Sequence, residues 1–144
     1  MKSNQPIKWQ SLWPLLLPVL IFIPGISGFP YSSIEAQYSD LAITHYPNAI
    51  FLKSALREYG AVPLWSPTIL SGYPFAANPL SGLWYPPGWL AVFMPLPLGF
   101  NILAMLHLLW GGVGLFIFFK TEGLSNRAAL LGSLAFESLP KIFA

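Results

Sequence analysis

Read from its first residue, the chain alternates between long uncharged apolar runs and short polar punctuation. Met1 to Lys8 is polar and basic, and Trp9 to Ile34 then carries no charge over more than the roughly 20 residues that a spanning helix needs. This run predicts a first membrane span, kinked by Pro14, Pro18 and Pro24, since such breaks are tolerated where neighbouring helices or water satisfy the released carbonyls. The same residues also fit a cleaved signal peptide, with Lys2 and Lys8 as its basic start, Leu12 to Ile23 as its apolar centre, and Gly25 and Ser27 near a cleavage point. Both readings export the segment that follows.

From Tyr38 the pattern becomes mixed. Pro47 suits the first turn of a helix; Leu52, Ala55, Leu56 and Tyr59 recur at helical spacing, and Gly60 closes the element. Lys53 and Arg57 lie one turn apart on the other face, which predicts a short amphipathic helix resting on a membrane surface, or an ordinary surface helix with two solvated charges. The stretch from Gly60 to Trp89 is cut by Pro63, Pro67, Pro74, Pro79, Pro86 and Pro87, yet it carries Trp65, Tyr73, Phe75, Trp84, Tyr85 and Trp89. The prolines exclude a long helix or a central strand, and the aromatics exclude a disordered composition, so an ordered loop is predicted. LWSP at 64–67 and LWYP at 83–86 echo each other, too briefly to make a repeat fold.

Gly88 to Leu98 is apolar but too short to span, and predicts an interfacial or re-entrant piece. Leu98 to Phe119 is long enough for a second span. KTEGLSNR follows, where Gly123 ends one helix and Ser125 or Asn126 caps the next, predicting a helical hairpin. Ala128 to Ala144 opens as a third span and then meets Glu137, Pro140 and Lys141, and it reads as truncated. Glu137 and Lys141 could pair inside a bundle, with Pro140 disturbing the helical spacing between them.

The predicted fold is therefore all-α: a polytopic membrane protein of about three spans. Its parts are a cytoplasmic N-terminus and first span (1–34), an extracytoplasmic loop with an amphipathic helix (35–97), and a second span, turn and third-span start (98–144). Composition sharpens this picture. The chain is 55% apolar and only 8% charged, with a mean hydropathy of +0.60, where soluble domains carry about 25% charge. No charge falls between Lys8 and Glu35, nor between Glu58 and Lys120. Lys2, Lys8, Lys120 and Arg127 fall on one side of this topology, which the positive-inside rule makes cytoplasmic, so the expected location is the inner (plasma) membrane. The seven basic residues form no patch, which argues against nucleic acid; the lipid bilayer is the expected partner. There is no cysteine and no HExxH, Walker A or GxGxxG motif.

Candidate chemistry concentrates after the first span. Asp40 would sit at the outer surface, where a general base or metal ligand is needed, or would serve as an N-cap for LAITHYP. Glu35 lies nearby, and His45 could shuttle a proton or complete a metal site, or simply hydrogen-bond at an interface. Lys53 and Arg57 could steady a phosphate or hold anionic lipid headgroups. Trp65, Tyr85 and the other loop aromatics could stack on sugar rings or serve as membrane-interface anchors. His107 is the ionisable side chain of the second span, and is either functional or bonded across to another helix. No metal site is assigned; the cofactor stays open, and a divalent cation is admitted.

SDLAITHYPNAIFLKSALREYGAVPLWSPTILSGYPFAANPLSGLWYPPGWL, followed by NILAMLHLLWGGVGLFIFFKTEGLSNRAALLGSLAF, resembles the N-terminal part of the bacterial YfhO-type membrane proteins, which are grouped with the glycosyltransferase C fold. The resemblance covers about Asp40 to Phe136. It implies an extracytoplasmic first loop, further spans, and transfer of sugar from a polyprenyl-phosphate carrier to a cell-envelope acceptor. It also implies that Asp40, in the first outer loop, is the base or metal ligand; where many members have two adjacent acids, this chain has Ser39 before Asp40. Later spans would complete such a cavity, so no transferase activity is expected of these residues alone. The rival expectation is a non-catalytic membrane protein whose aromatic loop binds a glycan, lipid or protein partner, with Asp40 as a cap; a transporter is a weaker third.

Overall fold

The computed structural model describes residues 9–16, 40–68 and 71–138. Among these residues the regular structure is helical, and the β pairing is confined to a bridge between Ser66 and Tyr73. Most of the predicted first span, with Lys2, Lys8, Glu35 and Lys141, lies outside the described residues. Its described part, Trp9–Leu16, is a 3₁₀ helix containing Pro14. The chain divides into two compact units, Gly25–Leu103 and Met1–Pro24 with Ala104–Ala144.

The first unit is built on α1 (Tyr46–Tyr59), entered through a π-helical turn at Leu41–His45. Pro47 occupies the first turn, where its missing N–H costs nothing, and Gly60 ends the helix in the left-handed conformation with φ 63°. Asn48, Ala49, Leu52 and Ala55 form the buried face. That face packs on the chain itself, since Leu52, Phe75, Leu83 and Val92 make one core, flanked by Phe51, Leu56, Tyr73 and Trp89. The expectation that the helix rests its apolar side on a membrane is therefore corrected: the loop occupies that side. Tyr59, counted in the apolar stripe, is 72% exposed.

The proline-rich loop is ordered by short turns. 3₁₀ turns lie at Phe75–Ala77, Pro79–Ser81 and Pro86–Gly88, and the last two begin with proline, where no N–H donor is needed. Asn78 caps the second by accepting from the Leu80 amide at 3.0 Å. Indole N–H groups tie the loop to itself: Trp84 donates to the Ala76 carbonyl at 2.7 Å and Trp89 to the Leu83 carbonyl at 2.9 Å. The stretch predicted as an interfacial or re-entrant piece forms a short helix, α2 (Trp89–Phe93), with Leu96 beginning the next. Gly99 allows this, because a Cβ there would stand 2.5 Å from the Ala91 Cα.

α3 (Leu96–Thr121) contributes its first residues to this unit and the remainder to the second. Its 26 residues correspond to about 39 Å, enough to cross the ~30 Å hydrocarbon core of a bilayer. Only 17% of its most apolar window is buried, unlike the core helix of a soluble protein. Among the described residues it is the one helix long and apolar enough to cross a membrane.

The second unit holds the rest of α3, α4 (Asn126–Glu137) and the Trp9–Leu16 segment, which packs on α4. The α3–α4 turn is a Schellman closure: Gly123, at φ 88°, donates to the Lys120 carbonyl, and Leu124 reaches back to Phe119, both at 3.0 Å. The Lys120 ammonium donates to the Leu124 carbonyl, and Ser125 caps α4 by accepting from the Ala128 amide at 3.3 Å. Glycines let the helices approach. Gly132 faces the Phe119 ring, Gly111 faces Phe136, and Gly112 receives the carboxyl of Glu137.

Candidate functional site

Within the Gly25–Leu103 unit, a cavity of about 270 Å³ opens between the π-turn, α1, the second 3₁₀ turn, α2 and the start of α3. Its walls are largely hydrocarbon: Leu41, Ala49, Leu52, Val92, Phe100 and Leu103. His45, Ser81 and Tyr85 supply the polar atoms of the lining.

The local chain conformation explains why these groups meet. In the π-turn the Tyr46 amide donates to the Leu41 carbonyl, one residue wider than α-helical bonding, and both Leu41 and His45 face the cavity. Wide turns of this kind recur at functional sites. Tyr85 is fixed by two turns, its amide donating to the Gly82 carbonyl at 3.2 Å and its carbonyl accepting from the Gly88 amide at 2.9 Å. A side chain at Gly88 would press on the Tyr85 ring at 3.2 Å, so glycine leaves room for the phenol.

One polar cluster anchors the wall behind the cavity. Buried Asn48 accepts from the Tyr73 hydroxyl and donates to the Leu80 carbonyl, each at 3.0 Å. Both ends of its amide are thus used, and α1 is pinned to two points of the loop. Sequence reading missed Asn48; the available signal was its position one turn before Leu52 on the same helical face.

The predicted site residues separate into two sets. His45 and Tyr85 share the cavity wall, and Asp40 is exposed directly before Leu41, a wall residue. Asp40 has helical backbone angles (φ −56°, ψ −30°) and makes no side-chain capping bond, so the expectation that it caps LAITHYP is corrected. Lys53, Arg57 and Trp65 are not in the wall. The Lys53 ammonium donates to the Met94 carbonyl at 2.5 Å, tying α1 to the end of α2, while Arg57 is exposed on the last turn of α1. Trp65 is 56% exposed and lays its indole across Gly72, whose φ of 112° and absent side chain make the space. His107 lies on an exposed side of α3 in the second unit.

The cavity is apolar, with an imidazole and a phenol in its lining, and Asp40 adjoins it in sequence through Leu41. Among the described residues no three His, Cys, Asp or Glu side chains gather where they could hold a metal ion. No family model, curated protein or solved structure matches the chain.

Proposed function

We propose that the protein is a multi-pass inner-membrane protein whose Gly25–Leu103 unit faces the outside and receives a polyprenyl-phosphate-linked sugar, as in the opening part of a glycosyltransferase acting on cell-envelope glycans. The observation that carries this reading is the apolar cavity with His45 and Tyr85 in its wall, Asp40 preceding the wall residue Leu41 in the chain. The hydrocarbon walls suit an isoprenoid segment, and the polar groups suit the phosphate and sugar end. In the transfer step the acceptor hydroxyl attacks the anomeric carbon as the bond to the carrier phosphate breaks. Asp40 takes the hydroxyl proton and the carrier leaves with its phosphate. His45, in the wall, is the candidate for the phosphate contact, Arg57 being outside it, while Lys53 serves by holding α1 against α2. The resemblance to YfhO-type proteins supports the same reading, with N-terminus cytoplasmic.

The test is binding of a polyprenyl-phosphate sugar to the full chain in phosphatidylcholine liposomes. Ala49→Phe, which fills the cavity, should weaken binding by at least about tenfold, or ~1.4 kcal/mol. Asp40→Asn should bind as wild type, because the carboxylate acts on the acceptor rather than the carrier. Unchanged binding by Ala49→Phe, with its helical content intact, would falsify the cavity assignment.

A binding role without catalysis is the second reading. It is favoured by the exposure of the loop aromatics, among them Trp84 at 76% and Trp65 at 56%, which offer flat faces to a glycan. Under that reading Trp65→Ala and Trp84→Ala lower glycan affinity, whereas Ala49→Phe and Asp40→Asn do not.

A further inference from the structure

The least expected group in the molecule is Glu137. It ends α4, has no exposed surface, and neither carboxyl oxygen has a hydrogen-bond partner among the described residues. Its carboxyl rests on Gly112, where any Cβ would collide with it. Gly112 lies nine residues before the end of α3, about 13 Å along the membrane-crossing helix, so the seat is well inside the apolar stretch. The nearby hydroxyl of Ser133 is committed to the Ala129 carbonyl at 2.9 Å.

Among the described residues, no cation balances the carboxyl at this level. On α3, Lys120 is engaged at the turn with the Leu124 carbonyl and His107 lies below on an exposed side; on α4, Arg127 is exposed at the opposite end. The Trp9–Leu16 segment packed on α4 has no charged residue. An ionised carboxylate without a partner in such a setting is far more costly than the neutral acid, and ionisable side chains inside membranes mark functional positions.

We propose that Glu137 is an intramembrane proton-binding site, a neutral carboxylic acid seated on Gly112 in the seam between α3 and α4. Losing that proton leaves a bare charge in the seam, so proton release requires the carboxyl to leave its seat. The site binds a proton rather than a metal ion, because a single carboxyl supplies the donor set.

A hydrophobic carbodiimide tests this directly. The acid transfers its proton to a carbodiimide nitrogen, its oxygen adds to the central carbon, and the O-acyl adduct rearranges to a stable N-acylurea that retains every atom of the reagent. Full chain in phosphatidylcholine liposomes is treated with dicyclohexylcarbodiimide at pH 7 and mapped by mass spectrometry. Glu137 should be labelled at least about tenfold more than the exposed Glu58 and Glu122, because the apolar reagent partitions into the hydrocarbon and away from carboxyls in water. Glu137→Gln should remove the adduct while keeping wild-type helical content, and Gly112→Ala should cut labelling of Glu137 to the level of Glu58. Three results overturn the proposal: Glu137 unlabelled in helical protein, Glu137 modified preferentially by a water-soluble carbodiimide with an amine, or labelling unchanged in Gly112→Ala. Resistance that disappears in Lys141→Ala identifies an ion pair instead, and overturns it equally.

Discussion

At the scale of single residues, the polar atoms that matter most are those that hold the cavity in shape. Replacing Asn48 by alanine strands the Tyr73 hydroxyl and the Leu80 carbonyl and should destabilise the fold by about 1–3 kcal/mol, measured by denaturant unfolding in mild detergent. Lys53→Met keeps the apolar stem and removes the bond to Met94, and should lower stability without altering the affinity for a phosphate-bearing lipid. An affinity loss in a variant of wild-type stability would return Lys53 to the phosphate. Periodicity identified Leu52, Ala55 and Leu56 as inward residues, since apolar spacing is local information. It was blind to Asn48 and Lys53 because their partners stand 32, 25 and 41 residues away.

At the scale of elements, boundaries were legible where glycine, proline or a hydroxyl residue marks them. Gly60 and Gly123 end helices in left-handed conformation, Ser125 caps α4, and α3 runs two residues beyond each end of the apolar run Leu98 to Phe119. Ser125→Ala should cost about 0.5–2 kcal/mol, read from thermal loss of helicity. The piece at 88–98 was less legible: a short apolar run looks alike whether it enters a membrane or packs as α2 on a folded loop. Gly99 sets how closely α3 meets α2, through its approach to Ala91, and Gly99→Val should separate α2 from α3. Thermal melting in mild detergent would report that approach: Gly99→Val should melt well below wild type, and an unchanged melting temperature would contradict it.

At the scale of the molecule, the helical class of the described residues and a helix long and apolar enough to cross a membrane were legible in composition and charge spacing, because a bilayer demands long uncharged runs. The cavity was not legible. It assembles from segments near 45, 81 and 92 whose proximity depends on the core of Leu52, Phe75, Leu83 and Val92. Phe75, with no exposed surface, is central to that core, and Phe75→Ala should cost about 3–5 kcal/mol and abolish the cavity with it.

A cavity that holds the hydrocarbon chain of a polyprenyl-phosphate carrier, as proposed, can be photocrosslinked to that chain. A polyprenyl-phosphate sugar bearing a diazirine in its isoprenoid tail is irradiated with the full chain in liposomes, and the adducts are mapped. Crosslinks are expected at the wall residues Leu41, Leu52, Val92 and Phe100, suppressed by excess unlabelled carrier and by Ala49→Phe. Crosslinks confined to the lipid-exposed side of α3, and unaffected by competitor, would contradict it.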